Sequence, residues 1–220
     1  MARIEFITDD GVSIVGDHAE GPVGGPAALL LHMMPATKES WRPLAEALAG
    51  RGFSTLAIDL RGHGESVRGP GGAKLDYRGF TDAEQQAKMQ DVEAAVRWLA
   101  GRGIPHDRLA LVGASIGANL SIAFAGAHGD VPAVVALSPG LDYRGVATKG
   151  AASAMGRAQK LLLVASDDDG YSLSSVRALR EAKSDAELHE LRNAGHGTTM
   201  LERELGFFSY VVEWIANNVR

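Results

Sequence analysis

The chain has 220 residues, of which 45% are hydrophobic and 22% charged, a composition typical of a globular protein with a sizeable core. Its net charge of −5 is spread along the chain, which argues against a nucleic-acid partner, and the absence of cysteine excludes disulfides and thiolate chemistry. The longest apolar runs are about five residues, far too short to span a membrane. We therefore expect a cytoplasmic protein with no membrane or nucleic-acid partner.

Short apolar segments alternate with helical patterns along the chain, which is typical of a mostly parallel sheet covered by helices on both faces. Two alternating segments flank the turn signal Asp9-Asp10-Gly11 and predict an initial hairpin. Six further apolar segments predict the remaining strands of a sheet of about eight. The predicted strands are Arg3–Thr8, Val12–Asp17, Ala27–His32, Ser54–Leu60, Arg108–Ala114, Pro132–Ser138, Lys160–Ala165 and Ala186–Arg192.

Helical patterns lie between these strands. Thr81 and Glu84 form a capping-box pattern at the start of a long predicted helix that ends near Ala100. The Ala-rich stretch Ala147–Ala154 is predicted to be irregular. The other predicted helices are Trp41–Ala49, Ile116–Ala127, Ser172–Ala182 and Leu205–Asn217. No repeat or linker divides the chain, so we expect one α/β domain over residues 1–220.

The segment Gly113-Ala114-Ser115-Ile116-Gly117 has the pattern G-x-S-x-G, which places a nucleophilic serine on a sharp turn between a strand and a helix. The context fits, because a predicted strand precedes the motif and a predicted helix follows it. The residues two before and two after the serine must be nearly free of side chain in such a turn. Ser115 is therefore the candidate nucleophile; an ordinary β–α turn with a surface serine is the alternative.

A serine hydroxyl is a poor nucleophile until a base removes its proton, and histidine is the usual base. His196 follows the last predicted strand, so it lies at the carboxyl edge of the sheet, where the predicted serine turn also lies. The other histidines, expected to be structural or solvated, include His18, His106, His128 and His189.

A carboxylate must also orient the histidine and stabilise its charged form. The strand that ends at Ala165 is followed by Ser166-Asp167-Asp168-Asp169-Gly170, again at the carboxyl edge. Spacing alone does not choose among these three aspartates. Asp142, in another loop at this edge, is a further alternative.

Several segments together make the chain resemble the α/β-hydrolases over essentially its whole length, and within that group the small esterases without a lid. They are Leu31-His32-Met33-Met34, Asp59-Leu60-Arg61-Gly62-His63-Gly64-Glu65-Ser66, the serine motif, the Asp-rich turn and Gly195-His196-Gly197. The order serine, aspartate, histidine along the chain also matches that fold. The resemblance implies that the acid lies three residues beyond the end of its strand, which favours Asp168.

The resemblance further implies an oxyanion hole formed by the backbone N–H groups of Met34 and Ile116. Met33 stands where the family usually has glycine, so its side chain is expected to narrow this loop or to line the acyl pocket. Leu141 and Tyr143 are expected to line the substrate pocket. They lie in the segment 139–159, which is too short to form a large cap.

These features predict a serine hydrolase that cleaves carboxylic esters of short- to medium-chain acyl groups through a covalent acyl-enzyme, with water as the second substrate. No cofactor or metal is expected, because the chain has no phosphate loop, no dinucleotide fingerprint and no H-E-x-x-H motif. A thioesterase, a lactone hydrolase or a perhydrolase using the same triad is an alternative, as is a non-catalytic binding protein. Aromatic residues of the last helix suit either the core or a homodimer contact.

Overall fold

An eight-stranded sheet dominates the computed structural model, which describes residues 1–219. In chain order the strands are β1 (Ala2–Ile7), β2 (Ser13–Ala19), β3 (Ala27–Leu31), β4 (Ser54–Ile58), β5 (Leu109–Ala114), β6 (Ala133–Leu137), β7 (Asp142–Tyr143), β8 (Val146–Ala147), β9 (Lys160–Ser166) and β10 (Glu187–Leu191). The main sheet has the order β1-β2-β4-β3-β5-β6-β9-β10, and β7 and β8 form a separate hairpin. Strand β2 pairs antiparallel with both neighbours, whereas all strands from β4 to β10 in the sheet are parallel.

Helices connect the parallel strands and cover both faces of the sheet. Among residues 1–219 they are α1 (Arg42–Ala49), α2 (Asp82–Gln86), α3 (Met89–Ala100), α4 (Ile116–Ala127), α5 (Lys149–Ala154), α6 (Gly170–Ala182), α7 (Thr199–Arg203) and α8 (Leu205–Asn218). None of these helices is long and apolar enough to cross a bilayer.

Two apolar layers hold the helices against the sheet. Alternate residues of β5 point to opposite faces, so that Leu111 joins the layer under α3, α4 and α6, while Val112 joins the layer under α1 and α8. Every residue of β5 is buried, because this strand lies at the centre of the sheet with helices on both sides. The near-continuous apolar character of the strand follows from this double burial.

The structure confirms the predicted α/β-hydrolase fold, with all eight predicted strands in one mostly parallel sheet and no large cap among the described residues. Between β6 and β9 the chain forms only the β7–β8 hairpin and the short helix α5. The prediction of an irregular segment was wrong at α5, where Lys149–Ala154 is helical. Alanine favours the helix once Ala152 is buried against its neighbours.

The single long helix predicted from Thr81 to Ala100 was also wrong, since α2 and α3 are separate helices. The capping box of Thr81 and Glu84 is present at the start of α2. The chain tightens after α2, where the N–H of Lys88 donates to the carbonyl of Gln85, three residues earlier. The Lys88 side chain is buried, and its Nζ lies 2.6 Å from Gln85 Oε1.

Replacing Leu111 by alanine tests how much burial in the central strand contributes to the free energy of unfolding. The side chain is fully buried, so we expect Leu111→Ala to lower the free energy of unfolding by about 2–5 kcal/mol in urea denaturation. Leu205→Ala is the matched control because Leu205 is 74% exposed, and its effect should stay within about 0.5 kcal/mol. Equal effects of the two substitutions would contradict the described packing.

Candidate active site

Ser115 occupies the turn between β5 and α4, with φ of 53° and ψ of −119°. A non-glycine residue rarely has positive φ, and the strain that it implies is found most often at functional sites. The N–H of Ser115 donates to the carbonyl of Leu137 at the end of β6 (2.8 Å). This bond ties the turn to the neighbouring strand and leaves the partly exposed serine at the carboxyl edge of the sheet.

The glycines on either side of Ser115 allow the backbone to close this turn. A Cβ atom at Gly113 would lie 2.1 Å from the carbonyl oxygen of Gly117. A Cβ atom at Gly117 would lie 2.2 Å from the carbonyl oxygen of Leu31, the last residue of β3. Both are backbone contacts that a side-chain rotation cannot relieve, so these two positions require glycine.

The His196 loop packs directly against the serine turn. A Cβ atom at Gly197 would lie 3.3 Å from Cβ of Ala114, which immediately precedes Ser115. The N–H of Gly197 donates to the hydroxyl of Ser138, which follows β6 (3.0 Å). The histidine and the serine therefore lie on neighbouring segments at the same edge of the sheet.

The carboxylate that contacts His196 belongs to Asp169. Its Oδ2 lies 2.6 Å from Nδ1 of the imidazole. The prediction that Asp168 makes this contact was wrong, because Asp168 Oδ1 accepts hydrogen bonds from the hydroxyl of Ser166 and from the N–H of Gly195 (3.1 Å for the latter). Asp168 supports the histidine loop, whereas Asp169 supports the histidine ring.

The other two alternatives also make local contacts. Asp167 Oδ1 accepts from the N–H of Asn193 (2.8 Å), so three successive aspartates each hold a different residue of the histidine loop. Asp142 Oδ1 accepts from the N–H of Gly145 (2.6 Å) and closes the β7–β8 hairpin. Ser166, which the sequence analysis did not single out, adds a further support, since its hydroxyl accepts from the N–H of Ala194 (2.8 Å).

Asp169 is arranged to stay ionised beside the imidazole. Its partial burial opposes ionisation, but hydrogen bonds from Ser172 and His196 outweigh the burial, so the pKa of Asp169 lies below its ordinary value. An ionised carboxylate at Nδ1 favours the tautomer with the proton on that nitrogen. Nε2 of His196 is then free to accept a proton.

Tyr143 lies at the serine turn, on the hairpin strand β7. Its hydroxyl is 3.2 Å from the hydroxyl of Ser172 and 3.5 Å from the carbonyl of Ser138. Burial raises the pKa of the Tyr143 phenol, and hydrogen bonding with Ser172 opposes that rise. Tyr143 thus contacts Ser138, the residue after Leu137, whose carbonyl accepts from the N–H of Ser115. Leu141 is partly buried against the core, and its N–H donates to Ser175 (3.2 Å).

The predicted oxyanion loop lies at the end of β3. His32 holds it from within, because Nε2 accepts from the N–H of Leu60 (3.0 Å) and Nδ1 donates to the carbonyl of Met33 (2.8 Å). Ile116 begins α4, so its N–H has no acceptor in a preceding helical turn. The Met33 side chain packs against Gly197, where an added Cβ would lie 2.4 Å from its sulfur. Met33 therefore bridges the oxyanion loop and the histidine loop.

A buried polar cluster lies behind Met34. Nζ of Lys88 is 3.4 Å from the Met34 sulfur and 3.3 Å from Nε2 of His63. Burial lowers the pKa of Lys88 to about 8 and the pKa of His32 to about 4, and it also lowers that of His63. Lys88 could not be identified from the sequence, because a lysine in a helical pattern ordinarily indicates an exposed position.

The sequence is similar to known hydrolases. A family profile described as alpha/beta hydrolase fold matches residues 26–149, which is more than half of the chain. The thermostable monoacylglycerol lipase of Bacillus sp. (strain H-257) is 30% identical over 127 residues, covering 58% of this chain and 44% of the lipase. Thiohydrolase aneE of Aspergillus aculeatus is 34% identical over 116 residues, covering 52% and 34%. Epoxide hydrolase 3 of Xenopus tropicalis is 33% identical over 113 residues, covering 51% and 27%.

These matches span less than half the length of each of those relatives. Solved structures extend the likeness of the fold to the whole chain. An esterase of Pyrococcus furiosus superposes with a TM-score of 0.77 at 19% identity, covering 100% of this chain and 93% of the esterase. A dienelactone hydrolase of Anabaena variabilis gives 0.71 at 18% identity, covering 99% of both chains.

Gly117→Ala tests the close approach of α4 to β3. The added methyl group would meet the Leu31 carbonyl, so we expect the free energy of unfolding to fall by about 3 kcal/mol or more. Gly150→Ala is the control, because a Cβ at this exposed position of α5 meets nothing within 4 Å and alanine favours the helix. Thermal and urea unfolding of both variants measure the difference; a tolerated Gly117→Ala would refute the contact.

The buried amine of Lys88 makes the free energy of unfolding depend on pH in a predictable direction. The native state releases this proton near pH 8, whereas the unfolded chain retains it to about pH 10.5. The unfolded chain binds more protons between these values, so this group makes stability rise with pH there, by about 1 kcal/mol per pH unit. We expect Lys88→Met to remove this component from the difference in unfolding free energy between pH 8 and pH 9.5. An unchanged pH slope in the variant would be inconsistent with a buried amine.

Proposed function

The chain belongs to the alpha/beta hydrolase family, and from this membership we propose that it is a serine hydrolase acting on carboxylic esters of short- to medium-chain acids. The observation that carries the proposal is the hydrogen bond between Asp169 and His196, in a loop packed against the strained Ser115 turn. Nucleophile, base and orienting carboxylate have the roles that acyl transfer requires. The esterases and lipases among its relatives support this reaction class.

The proposed reaction has two acyl-transfer steps. Ser115 Oγ forms a bond to the ester carbonyl carbon while Nε2 of His196 takes the hydroxyl proton. The negative charge that develops on the carbonyl oxygen is stabilised by the N–H groups of Ile116 and Met34. When the carbon–oxygen bond to the alcohol breaks, His196 returns its proton to that alcohol. Water, deprotonated by the same histidine, then releases the acid from Ser115.

The preference for short to medium acyl groups rests on the chain between β6 and β9. This segment forms a hairpin and one short helix, and Tyr143 from the hairpin contacts Ser138, next to the residue that holds the Ser115 turn. A large apolar cap that would enclose a long chain is absent from the described residues. On the opposite side of the proposed acyl pocket, the Met33 side chain contacts Gly197 of the histidine loop and narrows the pocket.

Initial rates on p-nitrophenyl esters from acetate to palmitate test the proposal. We expect turnover of the acetate and butyrate esters that falls towards palmitate, and a loss of at least about a thousandfold in kcat/KM for Ser115→Ala. Ser174→Ala is the control, since that hydroxyl bonds to the Tyr171 carbonyl on the exposed side of α6 (2.8 Å). Full activity in Ser115→Ala would show that Ser115 is not the nucleophile.

A thioester is the second candidate substrate, because the Aspergillus relative carries the name thiohydrolase. The same triad would attack a thioester carbonyl, with a thiol as the leaving group. Matched oxoester and thioester substrates with the same acyl group distinguish the two. A kcat/KM for the thioester more than about a hundredfold higher would favour the second candidate.

Substitution of the two neighbouring aspartates, Asp168 and Asp169, should lower activity to different extents. Asp169→Asn should lower kcat by about ten-thousandfold, because an amide favours the wrong imidazole tautomer. Asp168→Asn should cost less than about tenfold, since its amide oxygen still accepts the Gly195 N–H. Steady-state kinetics on one ester measure both, and circular dichroism confirms folding. The reverse order of losses would assign the acid to Asp168.

A further inference from the structure

We propose that His106, His128 and Asp130 form a binding site for a divalent transition-metal ion of the zinc class. His106 lies in the turn before β5, and His128 and Asp130 lie between α4 and β6. These are the amino ends of the two strands, so the site is at the opposite edge of the sheet from Ser115. It is therefore independent of the proposed hydrolase chemistry.

The donor atoms of the three side chains are already close together. One nitrogen of each imidazole and one carboxylate oxygen all lie within 4.8 Å of one another. Nδ1 of His106 is 3.3 Å from Oδ1 of Asp130. Tetrahedral zinc with bonds of about 2.0–2.2 Å separates its ligand atoms by about 3.3–3.6 Å. This pair thus has the spacing of one edge of a zinc tetrahedron, and one ring nitrogen of His128 lies within 4.8 Å of both atoms.

Aromatic packing holds the two imidazoles in place. The Phe124 ring stacks on His128 with centroids 4.1 Å apart, and its edge meets His106 at 5.8 Å. His128 is the residue at which α4 ends, and its carbonyl accepts from the side chain of Gln159 (3.1 Å). A cation beside the end of α4 would also be stabilised by the negative end of the helix dipole.

The site is open to ions from solvent. Asp130 is exposed, both histidines are partly exposed, and a cavity of about 220 Å³ adjoins the two rings. Glu93 and Arg97 also line this cavity. The Arg97 guanidinium donates to Asp9 (2.9 Å), so part of its charge is already compensated.

The donor set selects the class of ion. Two imidazoles and one carboxylate suit Zn²⁺ and its neighbours in the transition series, whereas Mg²⁺ and Ca²⁺ prefer oxygen ligands alone. Three protein ligands leave a fourth position for water. Because the native chain presents the three groups together and the unfolded chain does not, the bound ion should stabilise the fold.

Calorimetric titration of tag-free, chelator-treated protein with ZnCl₂ tests the site. We expect saturable binding of one Zn²⁺ at this site, no comparable binding of Mg²⁺, and a rise in Tm with added zinc. His106→Gln, His128→Gln and Asp130→Ala should each weaken zinc binding by more than about a hundredfold, since loss of an outer-shell partner alone costs about 10- to 100-fold. Loss of a histidine could also weaken binding by disturbing the aromatic packing. Asp130→Ala avoids this ambiguity, because the Asp130 side chain is exposed and its removal leaves the packing intact.

Two matched variants separate this site from other histidines. His189→Gln removes a partly exposed histidine that also lies near a carboxylate, with Nε2 3.0 Å from Glu187, and should leave zinc affinity unchanged. His196→Gln removes the candidate catalytic base and should also leave it unchanged. Binding that is lost in His196→Gln but retained in His128→Gln would overturn the proposal, as would the absence of saturable zinc binding.

Discussion

The close approach of α4 to the end of β3 is the contact on which the rest of the site depends. Gly117 lies against the carbonyl of Leu31, with no room for a side chain between helix and strand. The approach places the start of α4 beside Leu31 and His32, directly after Ser115 with its positive φ of 53°. The candidate nucleophile and the proposed oxyanion hole therefore lie on either side of one packing contact.

Much of the fold could be predicted from the sequence because strand burial leaves a direct pattern. Strands such as β5, buried on both faces, are apolar throughout, and the carboxyl ends of parallel strands lie at one edge whatever the loops do. The break between α2 and α3 could not be predicted in this way. At the break, the buried side chain of Lys88 folds inward to Gln85 and His63, and a helical pattern gives no sign of such partners.

The sequence alone does not distinguish which aspartate contacts His196. Asp167, Asp168 and Asp169 follow the same strand at the same edge, and each accepts a hydrogen bond from the histidine loop. What distinguishes Asp169 is its direction, which is set by its place at the start of α6, where it also accepts the N–H of Ser172 (3.4 Å). The resemblance implies an acid three residues beyond the end of its strand, and β9 ends at Ser166, so that position is Asp169. The apolar pattern places the strand end at Ala165, one residue too early, because the last residue of β9 is a serine.

Hydrogen-bonded carboxylates support one side of the candidate site, and buried neutral histidines support the other. On the histidine side, hydrogen bonds to Asp168 and Asp169 keep the pKa values of these carboxyls below their ordinary range. Their contribution to stability is complete above the pKa of the unfolded chain and is lost only as the pH falls through the lower native pKa values. On the oxyanion side, burial keeps His32 and His63 neutral, because it lowers their pKa values. Between these limits, from weak acid to near pH 8 where Lys88 titrates, these supporting groups keep one protonation state. The geometry around Ser115 and His196 should therefore persist over this pH range.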